Sequence, residues 1–282
     1  MNELALPVPG SKELAEVAEA ALSLPQQDCP VIHRFGPGVY IREVSIPAGT
    51  FAVGRKHRHA HMNIMLEGEM LLRSDDGEEE HLIAPVSMTT EAGQKVAVVL
   101  KDTVWLNIYA TEERDVEKLE EWIFDDDEYY IDHVNAVATQ EYPKETLDIV
   151  HADYEEVVEA LGFTVEEVRT LSEYKGDQIP FPDGGWPVTV KDSNIEGKGL
   201  FATANIVEGQ VIAPSRIDCK RTPAGRYTNH SPFANAKMVM LPNGDVNLVA
   251  LENISGMQGG LMGQELLVDY TYAFLDTRLE NL

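Results

Sequence analysis

Two stretches of this chain consist of short runs in which apolar and polar residues alternate, each run closed by turn residues. That pattern admits little except antiparallel sheet. Over residues 31–110 the runs are VIHRF, VYIREVSI, HMNIMLEGEMLLR, EHLIAP, KVAVVL and VWLNIYA. Gly36-Pro37-Gly38, Pro47-Ala48-Gly49 and Asp75-Asp76-Gly77 punctuate them. Alternation sends successive side chains to opposite faces, so each run buries one face. Short strands at such regular spacing predict a sandwich or barrel. Over residues 176–282 the pattern returns as WPVTVKDS, GLFATA, QVIAPSR, AKMVML, VNLVAL and ELLVDYTYAF. No internal repeat relates the two regions.

Between them the period changes. TEERDVEKLEEWIF, DYEEVVEALGF and TVEEVRTLSEY carry apolar residues at helical spacing. Thr164 followed by Glu167 predicts a capping box. Near the N-terminus Ser11 caps a predicted helix through Leu22, and Pro25 ends it. The chain of 282 residues is long enough for two domains. The expected organisation is a helical leader at 1–30, a β barrel at 31–110, an acidic helical connector at 111–175 and a second β domain at 176–282. The expected fold class is mainly β.

Charge excludes some partners. Acidic residues outnumber basic ones by 48 to 22, a net charge of −26. Such a surface repels phosphate backbones and anionic lipid, so neither nucleic acid nor membrane is expected as a partner. No apolar run approaches the ~18 residues of a membrane span. The N-terminal stretch lacks a basic start followed by an apolar run, so no secretory signal is expected. Cys29 and Cys219 form no disulfide framework. These features predict a cytoplasmic protein, in the host cytoplasm if the chain is viral.

In the N-terminal region, a His-rich turn precedes a strand ending in Leu66-Glu67-Gly68-Glu69, followed by Ala84-Pro85 and a second turn at Gly93. This order resembles the cupin family, and Asp102-Thr103-Val104-Trp105 resembles phage-type cupin-like proteins. The resemblance implies a jelly-roll barrel. Within it His57, His59 and His61 stand at alternate positions. On a continuous strand they project together and could share a divalent transition metal. The pattern departs from the family where His61 takes the usual Glu position and where no His follows Gly93, which leaves Asn63 and Asp102 as substitutes. The other reading is a basic His-rich turn that binds no metal, or binds an anion or a partner. Barrels of this kind pair through edge strands, which predicts a homodimer.

In the C-terminal region three motifs occur in order. They are Ser193-Asn194-Ile195-Glu196-Gly197-Lys198-Gly199, then Arg226-Tyr227-Thr228-Asn229-His230-Ser231, then Gly263-Gln264-Glu265-Leu266-Leu267-Val268-Asp269-Tyr270. Together they resemble the SET-domain family of protein lysine methyltransferases. The resemblance implies S-adenosylmethionine as cofactor and a protein with an accessible lysine as substrate. It implies that Gly197, Lys198 and Gly199 form the loop against the cofactor, with Asn229 and His230 beside it. It makes Tyr270 the catalytic tyrosine, with Tyr227 as a wall of the lysine channel. A glycine pair permits close backbone approach, and a phenol beside a sulfonium can orient the methyl group and the incoming amine. The substrate-binding insert between Phe201 and Arg226 is short, and no cysteine cluster follows Tyr270. The alternative reading is therefore a non-catalytic scaffold or a virion-associated interaction protein.

Overall fold

A computed structural model describes residues 11–74, 77–126, 130, 142–256 and 263–273. Asp75 and Asp76 of the third predicted turn lie outside the described residues. Strand exceeds helix by 42% to 22%, so the chain is mainly β. The described residues divide into two compact units. The first holds 11–113, 118–126 and Tyr130, and the second holds 114–117, 142–256 and 263–273. The stretch read as a connector is therefore divided between the two.

In the first unit, α1 (Ser11–Leu22) precedes seven strands. They are β1 (Val31–Gly36), β2 (Val39–Ile46), β3 (Phe51–Val53), β4 (His61–Ser74), β5 (Glu79–Ile83), β6 (Val86–Thr90) and β7 (Lys95–Ala110). They bond in the order β5-β4-β7-β2-β1, with β3 also beside β7 and β6 also beside β4. The two long strands each serve two neighbours in succession. β4 pairs with β6 through His61–Met65 and with β5 through Glu69–Arg73. β7 pairs with β3 through Val96–Val98 and with β2 through Thr103–Ala110. The layer therefore curls into a half-barrel.

The curl has a local cause. The β4–β7 register shifts between Met65 and Met70. Before the shift the buried residues of β4 are His61, Asn63 and Met65; after it the alternation resumes at Met70 and Leu72, with Arg73 buried as well. One residue is absorbed, as at a β-bulge. Gly68 makes this possible, with φ +108° and no room for a side chain: a Cβ there would lie 2.1 Å from Thr103 Oγ1 and 2.8 Å from Asp102 O. Met65, Met70, Leu72, Leu82, Ala97 and Trp105 fill the core.

In the second unit, α3 (Lys144–Ala160) and α4 (Val165–Glu173) precede the sheets. The helix α2 (Val116–Ile123) lies earlier in sequence. α4 starts on the predicted capping box, Thr164 Oγ1 accepting from Glu167 N while the Glu167 carboxylate accepts from Thr164 N. After β8 (Gly184–Trp186), β9 (Val188–Asp192) and β10 (Lys198–Ala202) form a hairpin. The remaining strands are β11 (Val211–Ile217), β12 (Lys220–Arg221), β13 (Asn229–His230), β14 (Ala236–Met240), β15 (Val246–Ala250) and β16 (Leu267–Val268). The short helix α5 (Pro223–Arg226) precedes β13. The sheet order is β12-β11-β15-β14-β16-β13.

β16 runs parallel to both its neighbours, inserted between two strands that the chain joins directly. Asn235, on the connection between β13 and β14, holds it. Its Nδ2 donates to Glu265 O and its Oδ1 accepts from Leu267 N. The long strand expected in ELLVDYTYAF is corrected here. Among its described residues only Leu267–Val268 is strand, and Tyr270 opens a helical turn.

Candidate functional site

The second unit brings the three C-terminal motifs into contact. Phe201 of β10 forms a β-bridge with Glu265, and Leu266 N donates to Leu200 O. The pairing of Asn229 with Leu267 and of His230 with Val268 adds the middle motif. Glu265 is the hub. Its carboxylate accepts from Asn229 Nδ2 at 2.8 Å and from Ser193 Oγ at 2.9 and 3.0 Å. Asn229 Nδ2 also reaches the carbonyl oxygens of Glu196 and Lys198, at 3.3 and 3.4 Å. Glu265 is 2% exposed. Burial raises its pKa, against the opposing hydrogen bonds from Asn229 and Ser193.

The glycine pair serves this hub. Gly197 turns the loop at φ +53°. Gly199 lies so close that a Cβ would stand 2.2 Å from Glu265 Oε1. The Lys198 side chain is held by Glu117, with Nζ 2.5 Å from Oε2. Burial pulls its pKa down, and the Glu117 contact outweighs that and leaves it raised.

His230 and Tyr270 form the second half of the site. Tyr270 N donates to His230 Nδ1 at 3.1 Å, and the Tyr270 hydroxyl donates to Thr228 O at 2.9 Å. Burial first, and Tyr154 second, push the Tyr270 phenol up to about 12. It is therefore a neutral phenol at physiological pH. Tyr227 lies half-buried at the end of α5 with Arg226 5.0 Å over its ring.

Helix α3 covers this half, which no sequence signal had marked. Asp153 Oδ2 lies 2.8 Å from His230 Nε2. The Tyr154 ring stands 5.9 Å from His230 and 6.1 Å from Tyr270. His151 contacts Ile195 O at 2.9 Å, and Val150 packs with Ile195 and Leu267. Asp153 and Tyr154 sit in an acidic helix where they look like any solvated residues.

In the first unit His59 parts from His57 and His61, correcting the expected three-histidine cluster. The strand is not continuous through them. His57 forms isolated bridges with Gly93 and Phe124, the chain bends at Arg58 and His59, and β4 begins only at His61. His57 and His61 stack at 4.2 Å between ring centroids, whereas His59 stacks on Trp122 at 4.7 Å. His57 Nδ1 pairs with the Tyr109 hydroxyl at 2.6 Å, and His61 Nδ1 with His59 O at 3.0 Å. Burial, and then its histidine neighbour, lowers the pKa of His57; burial also lowers that of His61. No group of three or more His, Cys, Asp or Glu among the described residues is placed to hold a metal. Asn63 bonds Thr90 and Asn107, and Asp102 accepts from Ala48 N to close a turn.

No protein-family model matches the sequence, and no curated protein matches it. Among solved structures, the chain is similar to an RmlC-like cupin family protein with a double-stranded β-helix fold from Methanocaldococcus jannaschii. The identity is 15% and the TM-score 0.26, over 33% of this chain and 85% of that one. It is also similar to a cupin domain from Bordetella pertussis, at 20% identity and TM-score 0.25, over 30% of this chain and 96% of that one. KdgF from Halomonas sp. matches at 17% identity and TM-score 0.24, over 29% and 80%. No helix among the described residues is long and apolar enough to cross a membrane.

Proposed function

We propose that the second unit is a methyltransferase that uses S-adenosylmethionine to modify a lysine of another protein. The observation that carries this reading is the meeting of three sequence-distant motifs at Glu265, Asn229 and Tyr270. The donor set fits such a cofactor. A buried carboxylate and two backbone carbonyls converge on Asn229 Nδ2, acceptors of the kind a cationic group also seeks.

The cofactor, when bound, supplies an electrophilic methyl carbon. The chain's own residues supply position. Gly197 and Gly199 let backbone approach closely, and Asn229 and His230 hold the loop and the C-terminal segment in register. The Tyr270 hydroxyl donates its proton to Thr228 O, which fixes the orientation of the phenol. Alignment of amine and methyl carbon is the main contribution an enzyme makes to such a displacement. Tyr227 lines the acceptor side in this reading, and the surplus of acidic residues favours lysine-rich substrates.

A second reading has its own support. Asn229, Ser193 and Glu265 satisfy one another, as Tyr270 and Thr228 do, so the same groups also suit a non-catalytic scaffold. Calorimetric titration with S-adenosylmethionine and S-adenosylhomocysteine separates the two. The methyltransferase reading expects stoichiometric binding of both, followed by methyl transfer to a lysine-rich protein. Absence of binding sinks it and leaves the scaffold.

A further inference from the structure

Five strands of the first unit share two transverse rows of outward-facing residues. The ladder joins Arg34 of β1, Ile41 of β2, Ile108 of β7, Met62 of β4 and Thr89 of β6. The next row joins Ile32, Glu43, Leu106, Ile64 and Ser87 on the same strands. Side chains alternate along a strand. The residues between these positions, among them Tyr40, Asn63, Met65 and Asn107, are buried in the interior, so both rows point outward. An antiparallel sheet with one face on the core ordinarily presents polar side chains on the other. Here isoleucine, leucine and methionine fill six of the ten positions.

The face is open on β4. Met62 is 48% exposed, and Leu66, further along the same outward side, is 47% exposed. Ile32, Ile41, Ile64 and Ile108 are half-buried, and Leu106 is buried at the centre. The two charges in the rows cancel: Arg34 Nε donates to Glu43 Oε2 at 2.7 Å and Nη2 to Oε1 at 3.0 Å. A chain with a net charge of −26 thus carries an apolar sheet face with no net charge.

A contiguous apolar surface of this kind marks an interaction site. The charge selects the partner. A basic protein would find the only carboxylate of the rows, Glu43, already held by Arg34. Two copies of this chain repel wherever their acidic surfaces meet. At this face they can meet without opposing like charges. We propose that the outer face of β1, β2, β7, β4 and β6 packs against the same face of a second copy of the chain, forming a two-fold dimer centred on β4. A two-fold axis sets one patch against itself, and stacked sheets interleave their side chains at a spacing of about 10 Å. The contact is made by side chains of a sheet face, not by the edge-strand hydrogen bonds expected from the sequence.

The test measures the mass of the full chain by light scattering and sedimentation velocity over about a hundredfold dilution. Wild type should be a dimer at the concentrated end. The dimer should tighten as salt rises, because screening removes the repulsion between two acidic bodies and leaves the apolar contact. Met62→Glu and Leu66→Glu add like charges to both sides of the interface and should each weaken the dimer at least about tenfold. Phe51→Glu makes the same change on β3, outside both rows and 37% exposed, and should leave the dimer intact. If the two face variants fail to fold, Met62→Ser with Leu66→Ser, which trims the face without adding charge, decides by the same measurement. The proposal is overturned if wild type is a monomer throughout, or if its dimer weakens with salt. It is equally overturned if the folded face variants dimerise as wild type does, or if Phe51→Glu weakens the dimer as much as they do.

Discussion

His230 joins Asp153 to Tyr270: its Nδ1 accepts from the Tyr270 backbone N–H, and its Nε2 lies 2.8 Å from the Asp153 carboxylate. A backbone N–H can only donate, so Nδ1 must be the bare nitrogen and Nε2–H the donor to Asp153. The carboxylate thereby selects the tautomer that holds the chain at Tyr270.

Asp153→Ala should remove that selection. The expected loss is about 0.5–1.5 kcal/mol, from one hydrogen bond to a half-exposed carboxylate. Asp153→Asn keeps an acceptor oxygen and should lose less. Urea unfolding of the three proteins checks the order, and an Asp153→Ala curve superimposed on wild type would refute it.

Tyr270→Phe removes one hydroxyl and its bond to Thr228 O. If the second unit transfers methyl groups, cofactor affinity should stay within about threefold while transfer falls by on the order of 10²-fold. Single-turnover methylation beside calorimetry separates the two effects. Unchanged transfer would remove the tyrosine from the chemistry.

Glu265 carries a pH signature. Burial raises its folded pKa above the ordinary 4.5, so the native state holds its proton more tightly than the unfolded chain. Its contribution is fully present below pH 4.5 and is lost as pH rises through the folded value. Glu265→Gln keeps an acceptor for Asn229 and removes the charge. It should flatten the fall in stability above pH 4.5 and leave the protein at least as stable at pH 7. Chemical denaturation at a series of pH values measures the slope.

Gly68→Ala should be far worse than Gly49→Ala, although both glycines have positive φ. At Gly68 the new Cβ meets Thr103 and backbone of Asp102, whereas at Gly49 nothing lies within 4 Å. We expect losses of at least about 3 kcal/mol against about 1 kcal/mol. Equal melting temperatures for the two variants would mean that the bulge tolerates a side chain.

His59→Ala should change the fluorescence of Trp122, the ring it stacks on. It should leave unchanged the zinc or iron retained after metal incubation and desalting, because His59 lies apart from the His57–His61 pair. Elemental analysis that shows His59→Ala losing bound metal would restore the three-histidine cluster.

Much of the fold was legible because it rests on local rules. VIHRFG alternates buried and half-buried positions as its pattern requires, and Thr164 and Glu167 cap a helix as their spacing predicts. The misreadings share one cause, the assumption that a local pattern runs on unbroken. Alternation at His57, His59 and His61 implies convergence only on a straight strand, and the bend at Arg58 and His59 cancels it. ELLVDYTYAF reads as one strand, yet the sheet takes two residues of it. Asp153 was invisible for a different reason. Its role depends on which face of α3 meets His230, and an acidic helix with solvent-like composition does not announce that face.

The insertion of β16 between β13 and β14 sets an order of events during synthesis. When the ribosome has made Asn229 through Met240, the slot between those strands is still empty, because Leu267 and Val268 lie more than two dozen residues further on. Asn235 waits with both ends of its amide unpaired to the backbone it will hold. The meeting of Asn229, Glu265 and Tyr270 thus waits until the segment from Glu265 to Tyr270 has been made. Until then the unit exposes two strand edges, a state in which a nascent protein is most open to wrong partners.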